Sequence, residues 1–168
     1  MRMFREEDFE EYAAMTCDAE VTRYLGDGKP LDRFFAWRQL AMMLGHWQLR
    51  GYGPWAVEEK ATGRLVGRVG FFKPEGWPGF ELGWVLGRKF WGRGFATEAA
   101  RRALEFAFTE MGRVRVISLI RPENRASIKV AERLGERRTG ETELFGEAAL
   151  VYEISRDEWL AGRATTQD

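Results

Sequence analysis

W-G-R-G-F-A-T-E-A, Trp91–Ala99, is the stretch on which the reading of this chain turns. It follows F-E-L-G-W-V-L (Phe80–Leu86), which alternates like a strand, and it precedes an amphipathic run with the helical period. Glycines at such a junction let backbone approach a ligand closely, and the first free N–H groups of a helix form an anion site. A tight strand-to-helix turn with no ligand would satisfy the same residues. The surrounding chain has to decide.

Downstream of that turn, a helix is expected from about Ala96 to Met111. Ala96, Ala99, Ala100, Ala103, Leu104, Ala107 and Phe108 face inward, while Glu98, Arg101, Arg102 and Glu105 face water. R-V-I-S-L-I (Arg115–Ile120) reads as a short buried strand. R-P-E-N follows, then a short helix with Ile128, Ala131 and Leu134 on one side and Gly135 as its C-cap. Two more strands, about Arg137–Leu144 and Ala148–Ser155, precede a short helix around Glu158.

Upstream, W-A-V-E-E, the turn K-A-T-G and R-L-V-G-R-V-G-F-F form an antiparallel hairpin over Trp55–Phe72. In Phe80–Leu86 the alternation puts Phe80, Leu82, Trp84 and Leu86 on one face and Glu81, Gly83 and Val85 on the other. Gly83 in mid-strand suggests a bulge or a close approach of ligand to backbone. The first part of the chain is helical. One helix spans Asp8–Met15, and a longer one about Leu31–Arg50 carries an apolar face of Phe34, Trp37, Ala41, Leu44 and Trp47. The order α-α-β-β-β-α-β-α-β-β predicts an α/β (α+β) fold, a mixed sheet with helices on its faces.

Composition narrows the class. The 168 residues suit one domain, taken as 1–160 with residues 161–168 as a flexible tail. The 26 basic residues balance the 26 acidic ones, so no global field draws nucleic acid or an anionic membrane. No apolar run approaches the roughly 18 residues of a membrane span, and M-R-M-F-R-E-E-D holds no apolar signal segment, so a cytoplasmic location is expected. The single cysteine, Cys17, fits a reducing compartment. One histidine and one cysteine argue against a metal site. His46 reads as packing or surface, and Cys17 has no base nearby to activate it.

The run E-L-G-W-V-L-x-x-x-F-W-G-R-G-F-A-T-E-A, followed by N-R-A-S-I-K-V-A-E-R-L-G (Asn124–Gly135), resembles the GNAT superfamily of acyl-CoA-dependent N-acetyltransferases. It resembles most the branch named for ribosomal-protein alanine N-acetyltransferases, and T-C-D-A-E-V-T-R-Y-L-G (Thr16–Gly26) shares that branch's pattern. The likeness implies a mostly antiparallel central sheet whose bulged central strand splays from its neighbour near Arg115–Ile120. It also implies acetyl-CoA as co-substrate, with no metal. The family's pyrophosphate loop reads Gln/Arg-x-x-Gly-x-Gly/Ala; Gly94 and Ala96 match its last fixed positions, and Trp91 departs from the first. Recognition then falls to backbone N–H groups of about Gly92 to Thr97, Phe95 included, with Arg88, Lys89 and Arg93 supplying positive charge.

By the same resemblance, the pantetheine arm bonds backbone of Trp84, Val85 and Leu86. An N–H near Val85 stabilises the oxyanion, and Asn124 and Ser127 face the arm, with Ser127 near the departing sulfur. The residues themselves also read Asn124 as a plain N-cap. An amine must lose a proton before it attacks, so a base is needed near the cleft. Glu81, two to four residues from the oxyanion site, is the candidate; the structural alternative pairs it with Arg68. Phe34, Phe35, Trp37, Trp47, Trp55 and Trp77 could wall an acceptor cleft, although their spacing suits core in four cases of six. The acceptor is a protein N-terminal amine or a small amine such as an aminoglycoside, polyamine or amino-acid derivative. The chain is expected to act as a monomer or homodimer. A CoA-binding sensor or interaction module without turnover is the alternative.

Overall fold

The computed structural model describes residues 1–164. Its centre is a six-stranded sheet in the order β1-β2-β3-β4-β6-β5. The strands are β1 (Pro54–Glu58), β2 (Leu65–Phe72), β3 (Glu81–Leu86), β4 (Arg115–Ile120), β5 (Arg137–Leu144) and β6 (Glu147–Ser155). All neighbours pair antiparallel except β3 and β4, which run parallel and meet at one register pair, Glu81↔Ile117. Beyond that pair the strands part, and the sheet is split at its middle.

Helices cover both faces. On one lie α1 (Phe9–Thr16), α2 (Ala19–Thr22) and α3 (Arg33–Arg50); Tyr12, Met15, Leu40 and Met43 pack against Ala56, Leu65 and Val85 of the sheet. On the other lie α4 (Phe95–Thr109), α5 (Arg125–Leu134) and α6 (Arg156–Ala164). Ala99, Ala100, Ala103, Leu104 and Ala107 of α4 are buried against Val69, Phe71, Leu82 and Leu86. The small alanines let α4 sit close to the strands, which brings its N-terminus to the mouth of the split.

The expected elements are present, with differences at three places. The buried face of α3 is Ala36, Leu40, Met43 and His46, whereas Phe34 and Trp37 are 64% and 55% exposed. Two apolar stripes overlap along this helix. The one carrying the small Ala36 allows close approach to α1, where the Tyr12 hydroxyl donates to Gln39. Second, α2 is an additional element; Asp18 caps it, accepting from the Glu20 N–H at 3.0 Å. Third, α6 continues to Ala164, into the expected tail, and residues 165–168 lie outside the described residues.

The bulge expected at Gly83 is absent from the pairing with β2, which runs unbroken from Gly67↔Leu86 to Phe72↔Glu81. Gly83 instead sits opposite Gly70, and a Cβ there would meet only the Glu81 carboxylate, at 4.0 Å. The glycine keeps a cavity floor open. Among the described residues no helix is long and apolar enough to cross a membrane.

Candidate active site

The register fixes what the split offers. The Gly87 N–H donates to Val66 O at 2.9 Å, so these two form a hydrogen-bonded pair. Antiparallel pairs alternate, so Glu81, Gly83 and Val85 also turn their backbone groups toward β2. Leu82, Trp84 and Leu86 turn theirs toward β4. The expectation that the Val85 N–H faces the split is therefore corrected: that N–H belongs to the β2–β3 ladder, and Trp84 and Leu86 present theirs to the gap.

At the apex of the split, two side chains replace the next ladder bond. The Ser118 hydroxyl donates to Leu82 O at 2.9 Å and lies 3.1 Å from Glu136 Oε1. A hydroxyl has one proton and a carbonyl can only accept, so the contact with Glu136 needs a proton on the carboxyl. Glu136 is 3% exposed, and its Oε2 has no partner. Burial pushes its pKa up to about 8, against the Ser118 hydrogen bond and with help from the negative charge of Glu81. Geometry and electrostatics agree on a neutral acid.

Glu81 lies on the opposite face of the same apex. Its Oε2 accepts the Trp77 indole N–H at 2.6 Å. Burial pushes its pKa up to about 7, while the Trp77 N–H, the charge of Arg68 and the Leu119 N–H pull it back. It forms no ion pair with Arg68 among the described residues. A carboxylate with a pKa near the working pH is suited to moving a proton.

Two cavities meet across the gap. One, of about 560 Å³, is lined by the loop and first turn of α4 (Trp91, Gly92, Gly94, Phe95, Ala96, Thr97) and by Asn124 and Ser127. Gly94 stands at the N-cap of α4 with φ +86°, and the N–H groups after it have no intrahelical acceptor. Trp91 takes a structural part: its indole N–H donates to Leu86 O at 2.8 Å and ties the loop to the end of β3. The other cavity, of about 320 Å³, lies on the α3 face and includes Arg68, Phe72, Trp77, Glu81 and Gly83. Tyr24, Leu25, Trp84, Val85, Asn124 and Ser127 line both.

Asn124 is an N-cap, as the sequence suggests, its side chain accepting from the Ser127 N–H at 3.1 Å. Ser127 Oγ accepts the Trp84 indole N–H at 3.2 Å. This bond spans the gap between β3 and α5. The three cations expected at the loop are placed elsewhere: Arg88 pairs with Asp18, Lys89 with Glu11 and Arg93 with Glu59. The larger cavity is instead lined by Arg23, Arg125, Lys129 and Arg133. Three of these recur every four residues along α5, a helical stripe that spacing alone could have revealed.

His46 is a packing residue. It is buried, with Nδ1 2.7 Å from Tyr52 O and Nε2 accepting the Lys73 N–H at 3.2 Å, and it stacks on Phe72. Of the six aromatics considered for a cleft, Trp77 lines the smaller cavity, Trp47 and Trp55 pack on the core, and Phe34, Phe35 and Trp37 are exposed. Fewer are core than their spacing suggests, because α3 turns its other stripe inward. Cys17 is exposed. Among the described residues no cluster of His, Cys, Asp and Glu could hold a metal ion.

The glycine-capped start of α4, with its free N–H groups, thus stands beside a sheet split between β3 and β4. Residues 1–137 match the profile of the acetyltransferase (GNAT) domain, and the chain belongs to that family of acetyltransferases. It is 36% identical over 108 residues to the Bacillus subtilis protein YkkB, a match spanning 62% of this chain and 63% of YkkB. It is 30% identical over 142 residues to the Bacillus licheniformis N-acetyltransferase p20, covering 83% of this chain and 79% of p20. An acetyltransferase structure from Agrobacterium tumefaciens superposes with a TM-score of 0.80 at 30% identity, covering 91% of this chain and 88% of that one. The Vibrio cholerae spermidine N-acetyltransferase, solved with CoA and spermine, shares the fold with a TM-score of 0.77 at 18% identity, over 95% and 96% of the two chains.

Proposed function

We propose that this chain transfers the acetyl group of acetyl-CoA to a primary amine by direct attack, with no covalent enzyme intermediate. The observation that carries the reading is the gap between β3 and β4, which joins a cavity on the α4–α5 side to a cavity holding Glu81. Family membership and the CoA bound to a fold neighbour support the same assignment. The residues present fit acetyl-CoA: N–H groups at the start of α4 for the pyrophosphate, the α5 stripe for further phosphate charge, and unpaired strand edge for the pantetheine amides. Bound acetyl-CoA supplies an activated thioester.

The chain's own residues do the rest. Glu81, ionised above about pH 7, takes the proton from the incoming ammonium, directly or through one water. The Trp84 N–H, facing the gap, donates to the thioester oxygen as charge develops on it. Ser127 Oγ already accepts from the Trp84 indole, so its own proton is free to point at the departing sulfur. The acceptor enters from the α3 side, so the two substrates meet only inside the gap. The test is thiol release from acetyl-CoA in the presence of a panel of amines and amino-terminal peptides. Amine-dependent release is expected; saturable acetyl-CoA binding with no release on any acceptor would contradict the proposal.

A further inference from the structure

Arg68 stands on β2 opposite Val85, on the face it shares with Gly70 and Phe72, and it lines the smaller cavity with Glu81. Its Nε is buried with no hydrogen-bond partner, and among the described residues no carboxylate forms an ion pair with it. Its near neighbour is Tyr12, whose pKa is raised by burial while the Arg68 charge and a hydrogen bond from Arg68 draw it back. A neutral phenol does not balance a guanidinium. The other basic residue on this wall, Arg121, is already committed: it donates to Gly26 O at 2.9 Å and to Ala148 O, and pairs with Glu147 at 3.6 Å. So among the described residues Arg68 has no ion-pair partner in direct contact, although its charge reaches Glu81, the one carboxylate lining the cavity. A desolvated charge left in that state is destabilising unless something arrives to pair with it.

Resting on the acetyltransferase reading of this site, we propose that the acceptor is an amino acid or a similarly small amino carboxylate. Its amine lies toward Glu81 and the gap, its carboxylate is received by Arg68, and its side chain sits among Phe72, Trp77 and Phe145. Glu81 pairs with Phe72 and Arg68 with Val85, so the two charged residues are four positions apart, roughly 13 Å of strand rise. The arginine side chain shortens that span from one end and the glutamate from the other. A planar guanidinium matches a carboxylate's two oxygens, and a lone arginine suits a single negative charge better than a phosphate, which draws further donors. A polyamine would bring additional positive charge against an already unpaired cation, which the site opposes. Phe72, Trp77 and Phe145 form an aromatic wall at the Glu81 end of the cavity, and leucine-, methionine- or phenylalanine-like side chains fit it.

The test uses the full chain and matched acceptors: L-leucine, L-methionine and L-phenylalanine, each beside its amide and its decarboxylated amine, with spermidine as a polycation. For the wild type, kcat/KM for the acids is expected at least tenfold above that for their amides. In Arg68→Gln the acid-to-amide ratio falls toward one, and in Arg68→Lys, which keeps the charge and loses the fork, it falls part of the way. Acetyl-CoA affinity reports whether each variant is folded; if Arg68→Gln is not, the wild-type ratio and Arg68→Lys decide. Amides, amines or spermidine equal to or better than the acids would overturn the proposal and leave the acetyltransferase reading standing. So would a ratio that Arg68→Gln does not move. Acetyl-CoA binding with no acetylation of any compound would overturn the acetyltransferase reading, and this inference with it.

Discussion

Replacing Glu136 by glutamine should stabilise the protein at neutral pH and flatten its pH dependence. Glu136 is buried behind Ser118 with its pKa raised from an ordinary 4.5 to about 8. A carboxyl whose pKa is raised in the folded state keeps its full stability contribution below the unfolded pKa and loses it as pH rises toward the folded one. Each tenfold change in proton affinity between the two states is worth about 1.4 kcal/mol, so by pH 7 the wild type has lost on the order of 3 kcal/mol relative to pH 4.5, with the loss complete above pH 8. Glutamine cannot ionise, and its amide N–H can donate to Ser118 Oγ as the protonated acid does. For a chain of this size the difference corresponds to a rise in Tm on the order of 10 °C at pH 7 and little change at pH 4.5. Thermal or urea unfolding of both proteins at half-unit steps from pH 4.5 to 8.5 measures it. Parallel curves for the two proteins would refute the reasoning, as would a glutamine variant no more stable than wild type at pH 8.

Further outcomes concern the donor and the base. Glu81→Gln should lower turnover by roughly 10²–10⁴-fold with acetyl-CoA affinity little changed; part of the activity should return at high pH, where more amine is neutral, and stopped assays from pH 6 to 9 read both effects. In the wild type, kcat should rise through about pH 7 as Glu81 ionises, and a flat profile would remove it as base. Gly94→Asp should nearly abolish acetyl-CoA binding in a calorimeter, since it puts a negative charge at the start of α4; its Cβ meets nothing within 4 Å, although the positive φ strains any side chain. Reversing the α5 stripe with Lys129→Glu and Arg133→Glu should raise KM for acetyl-CoA about tenfold at low salt and less at high salt, because exposed charges are screened.

Much of the fold was legible because its signals are local. The alanine stripe of α4, the alternation of β3 and the Gly135 cap are each set by neighbours in sequence, and each is where the spacing put it. The glycine turn at the start of α4 was legible for the same reason. What escaped was set by distant partners. Which stripe of α3 turns inward depends on how closely α1 approaches, and nothing within α3 records that distance. Arg88, Lys89 and Arg93 are near the loop in sequence, yet Asp18, Glu11 and Glu59 claim them from other elements. Which N–H faces the split depends on a register shared with β2, so Val85 and Trp84 could not be told apart from β3 alone. Glu136 follows the C-cap of α5, a position the sequence marks as a helix end and not as the neighbour of a serine on β4.

The central claim is that acetyl-CoA enters the split between β3 and β4 with its pyrophosphate on α4. A crystal structure of the chain with CoA tests this most directly. It should show phosphate oxygens against the N–H groups of Gly92 to Thr97, pantetheine amides bonded to Trp84 and Leu86, and the sulfur beside Ser127. CoA bound with its phosphates away from that loop, or β3 and β4 paired along their length with the arm outside them, would contradict it.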